Sequence, residues 1–183
     1  MKRLALGFIS LLFLSGCGYQ SIFDGSDSGV LAPVDLSKEL GDEYADFFRS
    51  DDFRICAQHV FYALREEGQI IGQYADYAVV LNDAYYLDDV HVDDVYTPGD
   101  YEWPDIDFNK YSLVLGWWAE GGTGWYLKDQ RIKKTLLGKV TVYLHLCLVD
   151  GLYFHDNKKL LFGALYPKLP SGPAKVERWY DEK

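Results

Sequence analysis

The sequence predicts an α+β fold in which an antiparallel meander of about four to five strands is covered by N-terminal helices. Three observations carry this expectation. Apolar residues recur at helical spacing between Leu36 and Leu64 and at strand spacing between Tyr111 and Tyr166, and the strand-like runs are joined by hairpin-like connections.

Leu36, Leu40, Tyr44, Phe47 and Phe48 lie on one helical face, although Gly41 weakens that helix. Phe53, Cys56, Ala57, Val60, Phe61 and Leu64 form a stronger stripe, with Ser50 or Asp51 as N-cap and Gly68 as terminator. Tyr77 to Leu81 reads as a short buried strand, after which Asn82 is placed to cap one or two turns through Leu87. Residues 88 to 107 hold seven aspartates with Pro98-Gly99 and Pro104, a long acidic loop. Strands follow over residues 111–118, from Trp125 to about Lys134, over 139–149 and over 160–166. Gly121 to Gly124 makes the first hairpin turn, and Pro167 and Pro170 end the sheet. The third of these strands alternates cleanly: Val140, Val142, Leu144, Leu146 and Leu148 face one way, and Thr141, Tyr143, His145 and Cys147 the other.

The 183 residues are 49% hydrophobic and 16% aromatic, enough to build a core and to exclude a disordered chain. The formal charge of −10 excludes nucleic acid as a partner, because that affinity comes from neutralising phosphates.

Met1-Lys2-Arg3 is a basic start, and Leu4 to Leu14 an apolar run too short to span a bilayer. With Leu14-Ser15-Gly16-Cys17 after it, the segment resembles the signal peptide and lipobox of bacterial lipoproteins. The resemblance implies cleavage before Cys17, acylation of Cys17 with palmitate-like chains, and membrane attachment through that lipid anchor. It also implies the outer membrane, because Gly18 stands where an inner-membrane retention aspartate is common. Residues 1–16 are then the signal peptide, 17–33 a lipidated tether with the Gly/Ser content of a flexible linker, and 34–183 one α+β domain.

Cys56 and Cys147 remain in an exported chain. They can close a disulfide across a loop of about 90 residues, or each can be a small buried hydrophobe.

The chain lacks G-x-S-x-G, H-E-x-x-H, S-x-x-K and any phosphate-binding glycine loop that opens a helix. No cofactor and no metal is expected. Asp88, Asp89, Asp93, Asp94 and Asp100 supply calcium-type oxygens, but at no EF-hand spacing, so a solvated loop is the preferred reading. His145 and Cys147 share a strand face and make the one thiol–imidazole pair from which a hydrolase site could be assembled. Trp103, Trp117, Trp118 and Trp125 are candidate ligand-binding aromatics, flat rings suited to sugar or peptide. Trp117 and Trp118, being adjacent on a strand, must face opposite ways.

From Asp105 to about Pro170, the order of a strand, the Gly121-Gly122-Thr123-Gly124-Trp125-Tyr126 turn and a long alternating strand resembles the C-terminal domain of exported protease-complex stabilising proteins and of small bacterial lipoproteins. A Thr-Gly-Trp insertion before Tyr126 departs from that pattern. The resemblance implies a non-catalytic binding or stabilising module. Taken together, the expectation is a lipid-anchored, non-enzymatic protein of the bacterial envelope with a protein or glycan partner; the alternative is an envelope hydrolase built on His145 and Cys147.

Overall fold

The computed structural model describes residues 29–70, 76–87, 90–92, 99–120, 124–148 and 158–180. The lipobox with Cys17, most of the acidic loop including Asp88, Asp89, Asp93 and Asp94, and Gly121 to Thr123 lie outside the described residues. In chain order the elements are β1 (Val30–Leu31), α1 (Leu36–Glu39), α2 (Asp42–Phe47), α3 (Asp51–Glu66), β2 (Tyr77–Leu81), β3 (Val90–Val92), β4 (Gly99–Tyr101), β5 (Tyr111–Glu120), β6 (Trp125–Lys134), β7 (Val140–Leu148), β8 (Lys158–Pro167) and β9 (Gly172–Tyr180).

An antiparallel meander under N-terminal helices is not what forms. The molecule is mostly sheet: seven strands in the order β1-β6-β7-β9-β2-β5-β8 curl into a half-barrel, with β3 and β4 as a separate ribbon. The sheet is mixed, because β9 pairs parallel to β7 and antiparallel to β2. β9 is therefore the joint between a β1-β6-β7 half and a β2-β5-β8 half. Expecting the sheet to end at Pro167 and Pro170 misses it, because Pro167 is only the last residue of β8 and Pro170 sits in the short connection to β9.

Curling explains why β2 and β5 are apolar on both faces. Their even-numbered residues Ala78, Val80, Val114 and Trp118 point inward to meet Ile132, Val142, Leu144 and Leu146 from β6 and β7. Their odd-numbered residues Val79, Leu81, Leu113, Leu115 and Trp117 point outward under α3, against Phe53, Ala57, Val60, Phe61 and Leu64. The helix forms where its periodicity predicts, with Ser50 Oγ accepting from Phe53 N at 3.2 Å. It settles on β8 at Gly163, where a Cβ would come within 2.5 Å of the Phe53 ring. The seam of the half-barrel is bridged by the N-terminal segment, since β1 pairs with β6 and Val34 N donates to Leu165 O of β8 at 2.8 Å.

The end of the half-barrel near Leu81 is closed by a polar triangle. Ser112 Oγ donates to Asn82 Oδ1 at 2.5 Å and accepts from Leu169 N at 2.8 Å, and Asn82 Nδ2 donates to Leu169 O at 2.7 Å. Asn82 is thus spent on the 169 backbone rather than on a helix, and residues 83–86 form turns.

Candidate functional site

The four tryptophans considered from the sequence do not assemble into one surface. Trp117 is 4% exposed, stacked on Tyr77 at 4.9 Å and edge-on to Phe61 at 4.6 Å beneath α3. Trp118 is 2% exposed on the opposite face, against Phe162. Trp103 packs among Phe47, Phe48 and Phe53. Trp125 alone of the four is near the rim, edge-on to Tyr180 at 4.8 Å.

The outward face of β6, β7 and β9 is different, because none of its residues joins the helix-covered core. A β-bulge after Leu127 resets the alternation of β6, so that Leu127 and then Gln130 and Ile132 turn inward while Asp129 and Arg131 face out and pair at 2.8 Å. On β7 the polar side of the alternation sets Tyr143, His145 and Cys147 outward. β9 contributes Trp179, the register partner of His145, whose indole stacks on the imidazole at 4.8 Å and 20°. Tyr126, opposite Cys147, is half exposed. Together Tyr126, Tyr143, His145 and Trp179 form an aromatic ledge on a sheet face that lies outside the helix-covered core.

His145 and Cys147 do meet: the thiol lies 3.9 Å from Nε2. The geometry is that of a weak sulfur contact, and Cys147 is only 6% exposed. A nucleophilic thiol needs access and thiolate character. The disulfide weighed from the sequence is not formed; Cys56 and Cys147 are separate buried thiols. Burial, reinforced by the Asp52 carboxylate, pushes the Cys56 thiol up to about 11.

An open cleft of about 580 Å³ is lined by Asp83, Asp105, Asp107 and Lys168, whose ammonium donates to Phe108 O. Among the described residues, no group of three or more His, Cys, Asp or Glu side chains is arranged to hold a metal.

Sequence reasoning missed Trp179. A strand signal was present in Ala174 and Val176 alternating with Lys175 and Glu177, and continuing that period sets Trp179 on the charged side. Comparison with protein-family models, with curated proteins and with solved structures yields no match for this chain.

Proposed function

We propose that the chain is a lipid-anchored, non-enzymatic binding module of the bacterial outer membrane, and that it contacts a protein or glycan partner through the ledge on β6, β7 and β9. The observation that carries this reading is the stacking of His145 on Trp179 beside a half-exposed Tyr126, on a face left outside the helix-covered core. Rings held side by side on a rigid sheet bury large area at little entropic cost, which suits sugar rings or an extended peptide. The hydrolase reading has the Cys147–His145 contact in its favour, but the thiol is enclosed.

Two measurements test this. Labelled palmitate should enter the protein and be lost in Cys17→Ser; label retained by that variant would remove the lipobox from the argument. A photoreactive side chain at position 126 should form adducts with envelope protein or peptidoglycan in cells, while the same group at Tyr62, exposed on α3, should not. Equal yields at both positions would refute the ledge as the contact surface.

A further inference from the structure

Leu136 and Leu137 stand at the tip of the β6–β7 hairpin with side chains wholly in solvent, 107% and 88% exposed. Such turn positions normally hold Gly, Asn, Asp or Pro. The tip is not slack. Thr135 N donates to Lys139 O at 2.9 Å, Gly138 N to Thr135 O at 3.0 Å, and Lys139 N to Thr135 Oγ1 at 3.1 Å. Gly138 supplies the positive φ of 77° that closes such a turn. The backbone thus holds two leucines out of the core rather than letting them fold back.

The charge around the tip is as unusual as its apolarity. Lys133, Lys134 and Lys139 are exposed beside the leucines, and residues 128–139 carry five cations against the single acid Asp129 in a chain of formal charge −10. The direction of the N-terminal segment completes the picture. β1 runs antiparallel to β6, with Val30 opposite Lys133 and Leu31 opposite Ile132, so the N-terminal end of β1 is the end nearer the tip. Only residues 18–29 separate Cys17 from that strand, a reach of at most about 45 Å.

We propose that the Leu136–Leu137 tip is a membrane-docking element that inserts into the interface of an anionic phospholipid bilayer, with Lys133, Lys134 and Lys139 on the headgroups. The proposal rests on the lipid-anchor reading and adds an orientation to it. An anchor alone lets an acidic domain tumble at the end of its tether; a short apolar tip with a basic collar gives a second contact, and two weak membrane signals on one chain reinforce each other. The carboxylates of Asp83, Asp105 and Asp107 lie at the same end but on the β2–β5 side, beyond β9, so their repulsion tilts the hairpin side toward the bilayer. His145 and its partner Trp179 sit five residues up β7 from Val140, where the strand leaves the tip, ~16 Å at strand rise, and are held clear of the headgroups for a partner.

The test uses the full lipidated chain in vesicles of phosphatidylglycerol and phosphatidylethanolamine. An environment-sensitive fluorophore is placed at Leu136→Cys or, for comparison, at Tyr62→Cys. The 136 probe should shift to the blue and be quenched by nitroxide-labelled lipid at least roughly twofold more than the 62 probe. The difference should shrink when Lys133, Lys134 and Lys139 become Gln, and in 1 M salt, where the screening length falls to about 3 Å. A chain that floats with the vesicles while its 136 probe stays in water overturns docking and leaves the anchor standing. A chain that fails to float overturns both. Shielding of the 136 probe that needs no vesicles and grows with protein concentration assigns the tip to a second copy of the chain and overturns the proposal.

Discussion

Trp117 and Trp118 are neighbours on β5 and both are buried, which an open sheet with one wet face does not permit. Each answers to a different layer, Trp117 to α3 and Trp118 to the inside of the half-barrel. Truncating either to Ala should cost about 3–5 kcal/mol by urea denaturation, and a near-zero cost at either would contradict the two-sided core. Trp118 Nε1 is buried without a hydrogen-bond partner, so Trp118→Phe should be far milder than Trp118→Ala. Gly163 is set by space rather than by turn geometry. A methyl there meets Phe53 at 2.5 Å and Leu115 at 2.9 Å, and Gly163→Ala should lower the melting temperature by several degrees by prising α3 from β8. Cys56 adds a pH signature. Its thiol titrates near 9.0 when unfolded and about 11 when folded, so its contribution is complete below pH 9 and lost as the pH rises toward 11. Tyr77 and Tyr166, also raised by burial, act in the same direction. The part due to Cys56 is the difference between the melting profiles of the parent and Cys56→Ala, which should narrow between pH 9 and 11; parallel profiles would contradict the assignment.

At the scale of the element, α3 and β7 are the pieces whose local chemistry and final place agree. Ser50 caps α3 by accepting from Phe53 N and also donates to Phe47 O at 2.7 Å, joining the end of α2 to the start of α3. Ser50→Ala should cost about 1 kcal/mol. Ser112 is a sharper case, because it is wholly buried and serves both Asn82 and the Leu169 backbone. Ser112→Ala leaves those groups unsatisfied in the closed end, with an expected loss of about 1–3 kcal/mol and faster amide exchange at Leu169. Unchanged exchange there would mean that the triangle does not hold the β8–β9 connection. The β6–β7 hairpin shows how an element can obey its pattern and still surprise. β7 alternates as written and β6 does so on either side of its bulge, yet the tip carries leucines that no part of the described core receives.

For the whole molecule, β9 is the decisive strand. Placed between β7 and β2, it joins the halves of the half-barrel and covers the ladder edges of both. A chain ending at Pro170 should therefore lose cooperative unfolding altogether, whereas a sheet that ended with β8 would tolerate the truncation; retained cooperativity would refute the central place of β9. What the sequence determined by itself was local. The spacing of Phe53 to Leu64 with Ser50 before it is an amphipathic helix in any context, and the alternation of Val140 to Leu148 is a strand with one apolar side. His145 and Cys147 were legible as a pair because residues two apart on a strand share a face. What only the tertiary structure decided was neighbourhood. Periodicity states which side of a strand is apolar but not which strand lies beside it, and β2 and β5, apolar on both sides, carry no signal for which layer each side will meet. The parallel pairing of β9 with β7, which brings Trp179 onto His145 from 34 residues away and makes the ledge, follows from the curl of the sheet that buries both sides at once, an energy that no single segment contains.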